Sequence, residues 1–145
     1  MDSAKIAYLY ASEISALDRL ASPKEPKLNV EVQEFPTEVE IILNFGFMAF
    51  AHDTHYSLST KIYKNDKVVN DPDIDGQVFE HSYHISENSY YVSTMRSIEK
   101  FTVTEPGYYL IEIELSSRKL SDEVGSEKKI DQHSAYICIS HNWIS

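Results

Sequence analysis

A single cysteine, Cys138, stands among the 145 residues of this chain. No internal disulfide can form, and without a Cys-x-x-Cys pair there is neither a zinc ribbon nor a dithiol redox motif. Glycine is scarce too: the only four lie at positions 46, 76, 107 and 125, too far apart to build a phosphate-cradling loop. No Gly-x-Ser-x-Gly elbow is present to expose a nucleophilic serine. Positive charge is short, with 13 Lys+Arg against 23 Asp+Glu and a formal net charge of −10. Such a balance repels phosphate backbones and anionic lipid, so neither nucleic acid nor a membrane surface is an expected partner. Long hydrophobic runs are also missing. The apolar part of the opening MDSAKIAYLYA is too short for a signal peptide, and no stretch nears the ~18 apolar residues that a membrane-spanning helix needs. The expectation is a soluble, cytoplasmic protein.

What is present fits one domain over residues 1–145, because domains most often run to about 100–150 residues. Ten Tyr and six Phe accompany many Val, Ile and Thr and only five Pro, a composition that favours strands over long helices. The periodicity agrees. In Tyr109-Leu110-Ile111-Glu112-Ile113-Glu114-Leu115 every odd position is apolar, the period of two of a half-buried strand. Val39, Ile41, Leu43, Phe45 and Phe47 repeat it, and this strand should be central. Tyr56, Leu58 and Ile62 alternate with polar neighbours until Lys64-Asn65-Asp66-Lys67, a hairpin turn before Val68-Val69. Further strands are expected at Lys5 to Ala11, Leu28 to Gln33, Gln77 to Ile85, Ser89 to Thr94, Ile98 to Val103 and Ala135 to Ile139. About eight short strands at this spacing read as an all-β antiparallel two-layer sandwich, immunoglobulin-like or jelly-roll-like.

At most one short helix is expected. Ile14, Leu17 and Leu20 recur every three residues near positions 12–21, with Ser12 placed as N-cap and Pro23 as stop. Residues 22–27 read as a linker. Residues 116–130 are polar and charged without a sustained period, and read as a mobile connection between the last two strands.

Several landmarks occur in a familiar order: Tyr8-Leu9-Tyr10-Ala11-Ser12-Glu13, then Lys27-Leu28-Asn29-Val30, Phe35-Pro36, His55-Tyr56-Ser57-Leu58, and Pro106-Gly107-Tyr108-Tyr109. Over residues 5–115 this order resembles an uncharacterised bacterial and prophage family of small β-sandwich domains, known only as a domain of unknown function. The tail, with its charged 116–130 stretch and the ending His141-Asn142-Trp143, departs from that pattern. The resemblance implies a two-layer sandwich and carries over no catalytic residue.

Chemistry-bearing strings are few. Asp71-Pro72-Asp73-Ile74-Asp75-Gly76-Gln77-Val78 matches an EF-hand calcium loop at its first, third, fifth, sixth and eighth positions, and a hard cation wants such converging oxygens. Ser82 occupies the twelfth position, where the motif needs a bidentate Glu, so a solvated turn competes with a structural calcium on Asp71, Asp73 and Asp75. His52/His55 and His81/His84 have metal-like spacing, but residues three apart on a strand point to opposite faces. Only a cross-strand meeting, such as His55 with His84, would bring two imidazoles together. Glu112 and Glu114 share a face about 7 Å apart by strand rise, a separation that suits an inverting glycosidase pair and equally a solvated sheet face. Cys138, between Ile137 and Ile139, sits in apolar company that disfavours the reactive thiolate.

The aromatic residues point to binding. Tyr offers large contact area, few rotatable bonds and a polar tip, and Tyr83, Tyr90, Tyr91 and Trp143 are the candidate binding patch. The expected function is therefore a non-enzymatic protein-interaction or structural module of bacterial or phage origin. It requires no cofactor, has an unknown protein partner, and could form homo-oligomers through its sheet edges. The alternatives are a carbohydrate-binding module with a structural calcium, and a hydrolase using surface carboxylates.

Overall fold

Inward-facing side chains at every second position build two stacked sheets. The computed structural model describes residues 4–13, 26, 28–50, 54–70, 77–85 and 91–142. Among the described residues nine strands are present: β1 (Lys5–Glu13), β2 (Asn29–Val32), β3 (Thr37–Phe50), β4 (Thr54–Lys64), β5 (Lys67–Val68), β6 (Gln77–Ile85), β7 (Tyr91–Val103), β8 (Gly107–Lys119) and β9 (Lys128–His141). They form a four-stranded sheet in the order β1-β3-β7-β6 and a five-stranded sheet in the order β2-β9-β8-β4-β5. All pairings are antiparallel except β2 with β9, which run parallel. In chain order these are the A-B-E-D and G-F-C layers of an immunoglobulin-like sandwich, with a short C′ strand beside C. Of the two architectures the periodicity allowed, the strand order selects this one.

The core lies where the alternation places it. Tyr109, Ile111, Ile113 and Leu115 of β8 meet Ile137 and Ile139 of β9 and Ile62 of β4, all essentially inaccessible to water. Across the interior stand Val39, Ile41, Leu43, Phe45 and Phe47 of β3, with Phe101 and Val103 of β7. Each fully buried aliphatic side chain of this kind stabilises the fold by about 1.5–3 kcal/mol. β3 is central, flanked by β1 and β7. Its even positions Ile42 and Asn44 are buried as well, and the Asn44 amide donates to the Ser12 hydroxyl at 2.9 Å.

The crossing from β7 to β8 is held by side chains. Tyr109 donates its hydroxyl to the Glu105 carbonyl at 2.8 Å, the tyrosine corner that stabilises this turn in immunoglobulin-like sandwiches. In disulfide-linked members a cysteine follows that tyrosine by two residues; here the position is Ile111, so packing replaces a covalent link. The β4–β5 turn docks on the same corner. Asn65 and Asp66 both have positive φ, 51° and 67°, the geometry that a two-residue hairpin turn demands. Asn65 donates to the Glu105 carboxylate at 2.9 Å, and the Lys64 ammonium stands 5.5 Å from the centre of the Tyr109 ring.

Three local expectations are corrected. Ser12 is no helix cap: it is a buried residue of β1, which runs on to Glu13. The remainder of the expected helix, residues 14–21, lies outside the described residues. Ser89–Thr94 and Ile98–Val103 are not two strands, since β7 runs unbroken from Tyr91 to Val103. The connection expected over residues 116–130 is shorter, spanning 120–127: β8 continues to Lys119 and β9 begins at Lys128. Polar side chains on both faces hid these strand ends, because a sheet extension beyond the core loses its apolar alternation.

Candidate interaction surface

If Tyr109 and Ile137 line the core, their neighbours must point away from it. Tyr108 of β8 and Tyr136 of β9 do so, remaining 72% and 67% exposed. Their rings meet edge to face, 6.5 Å between centres and 65° between planes. Register extends the patch. Leu110 stands between Tyr63 of β4 and Tyr136 of β9, and Val68 of β5 stands beside Tyr63. Cys138 is directly opposite Tyr108 and next to Asn29 of β2. The outer face of the five-stranded sheet thus carries a row of Val68, Tyr63, Leu110 and Tyr136 across four strands, with Tyr108 and Cys138 in the row beside it.

The next two rows of the same face are polar and charged. Lys61, Glu112 and Ser134 form one, and Ser59, Glu114 and Gln132 the other. Lys129 approaches Glu114 at 3.8 Å. An apolar centre with a charged border is the anatomy of a protein-binding surface. Glu112 and Glu114 are outward, as the alternation predicts, and each has a lysine of this face as neighbour.

Of the expected aromatic patch, only two residues fall in described strands. Tyr83 belongs to β6 and Tyr91 to β7, both in the other sheet, and their side chains lie outside the described part of the structure. Tyr90 and Trp143 lie outside the described residues, as do Asp71, Asp73 and Asp75. Residues 77–85 form β6, however, so the string after Gly76 runs into a strand, not into the helix that follows an EF-hand loop. Ser82, at the twelfth position, pairs with Thr94. His55 and His84 cannot meet across neighbouring strands: β4 is in the five-stranded sheet and β6 in the four-stranded one. Among the described residues, no three His, Cys, Asp or Glu side chains gather as a metal site would require. The Cys138 thiol is outward and half-buried, not a core residue.

Tyr108 and Tyr136 were missed because they lie far apart in the sequence, Tyr108 next to the inward-facing Tyr109 and Tyr136 with no aromatic neighbour. Only the pairing of β8 with β9 brings them together. A scan against protein-family models and a search of curated proteins both return no match for this chain. No helix among the described residues is long and apolar enough to cross a membrane.

Proposed function

We propose that this protein is a non-enzymatic interaction module that binds another protein through the outer face of its five-stranded sheet. The observation that carries this reading is the exposed Tyr108–Tyr136 pair, continuous with Leu110, Tyr63 and Val68 and bordered by Lys61, Glu112, Glu114 and Lys129. Tyrosines left largely exposed by their own chain gain free energy when a partner covers them, and do so at small cost in side-chain entropy. The 65° between the two rings favours an irregular protein surface over a sugar ring, which stacks on a flat platform. Glu112 and Glu114, with lysines beside them, read as rim charges that orient a partner.

Site-specific photocrosslinking tests it. A photoreactive phenylalanine analogue at position 136 is expected to form an adduct with a partner in the native cell, and Tyr108→Ser is expected to abolish it. The same analogue at the exposed Thr102 of the other sheet should form none. Equal adducts from both positions, or an adduct indifferent to Tyr108→Ser, would contradict the assignment of this face.

A further inference from the structure

Among the described residues, the same face ends in a strand edge that β2 pairs only in part. Cys138 donates its N–H to the Leu28 carbonyl and Asn142 donates to the Val32 carbonyl, each at 2.8 Å. Even-numbered residues of β9 therefore turn their backbone groups away from β8, and strand alternation extends this to Gln132, Ser134 and Tyr136. β2 covers β9 only from Cys138 to His141. Among the described residues no strand is hydrogen-bonded to Gln132, Ser134 and Tyr136 on that side, although β1 of the other sheet packs against β9, and all three residues are exposed. At the far end Asp131 accepts a 2.7 Å hydrogen bond from the Ile6 N–H, tying β9 to β1. What remains is a window of five residues, about 17 Å long at strand rise.

The chain's own sequence explains why β2 does not extend over it. Leu28 and Val32 show that even positions of this segment face β9. Continued upstream, that register places Pro26 in the facing set, and Pro26 is not in a strand. Proline has no N–H to give the ladder. Pro23 lies three residues earlier in the same segment.

We propose that the Gln132–Tyr136 edge of β9 receives a short extended segment of a partner protein as an added strand. Its alternate side chains fall beside Tyr136 and Ser134 on the outer face, where aromatic or β-branched residues pair best with a tyrosine. A second copy of this chain does not fit the window. Antiparallel β9–β9 pairing about Ser134 would carry each copy's Lys128–Lys129 segment into the space opposite Cys138–Ser140 that β2 already fills. The occupant is thus a strand of about five residues, a chain end or a loop of a different protein. This rests on the interaction-module reading and adds the mode of recognition to it.

A displayed library of random peptides, selected on the full-length protein, supplies the probe. Ser134→Pro removes one edge N–H that pairs with no strand among the described residues, so circular dichroism and melting should match the parent. Selected peptides are expected to bind Ser134→Pro at least tenfold more weakly, with Gln132→Pro giving the same loss. They should also slow hydrogen exchange at Gln132, Ser134 and Tyr136, which in the free protein should exchange far faster than His133 and Ala135. Peptides that bind Ser134→Pro as tightly as the parent, or a selection yielding none, overturn the proposal, as does protection of the three amides in the free protein. Tyr108→Ser separates the two readings. Binding lost only in Tyr108→Ser keeps the tyrosine face and removes the edge; binding lost only in the proline variants does the reverse.

Discussion

The hydroxyl of Tyr109 and the carbonyl of Glu105, four residues apart, are joined by a 2.8 Å hydrogen bond at the point where the chain leaves one sheet for the other. Tyr109→Phe keeps the ring in the core and deletes only this bond, leaving the carbonyl without its phenol. A loss of about 1–2 kcal/mol in urea denaturation is expected. Tyr109→Ala, which also empties the space against Phe101, should cost about 3–5 kcal/mol.

Burial pushes the Tyr109 phenol above its ordinary range. A tyrosine with a raised value in the folded state holds its proton longer there than in the unfolded chain. Its contribution is therefore complete below the ordinary value of about 10 and is lost as pH climbs through and beyond it. Urea midpoints measured from pH 8 upward should fall once that value is passed, and fall less steeply in Tyr109→Phe.

Gly107 adopts φ +132°, and a Cβ built on it would stand 2.7 Å from the Lys64 ammonium nitrogen. The lysine end can swing aside at little cost; the backbone cannot. Gly107→Ala should destabilise by about 1–3 kcal/mol, and adding Lys64→Ala should restore little of it. Full recovery in the double variant would show that crowding, not backbone geometry, selects glycine here.

Asn70 does the work of a neighbouring strand. Its amide oxygen accepts from the Ile62 N–H at 2.7 Å and its amide nitrogen donates to the Thr60 carbonyl at 2.9 Å, closing the β4 edge where β5 has ended. Asn70→Ala strands both backbone groups at once and should cost about 1–3 kcal/mol. Hydrogen exchange at Ile62 should accelerate while exchange at Ile113, deep in β8, changes only with the global loss.

Core and face should respond oppositely to truncation. Ile113→Ala removes a side chain 1% exposed and is expected to cost about 2–5 kcal/mol. Tyr136→Ser, on the outer face, should stay within about 0.5 kcal/mol of the parent while weakening partner binding. A large stability loss in Tyr136→Ser would mean that its ring serves the fold.

Two-residue alternation was enough to read β8 and β3 and to assign the inward set Tyr109, Ile111, Ile113 and Leu115, because a side chain's face in a strand follows from its position alone. The Asn65-Asp66 turn was legible for the same reason: its geometry is set by residues adjacent in the chain. Which strands become neighbours is a different matter, since it depends on contacts between residues far apart in sequence. Only the tertiary structure could put Tyr108 beside Tyr136, hold His55 and His84 in separate sheets, and run β2 parallel to β9 with its cover ending at Cys138. Local chemistry decided where each side chain points; long-range pairing decided what it meets there.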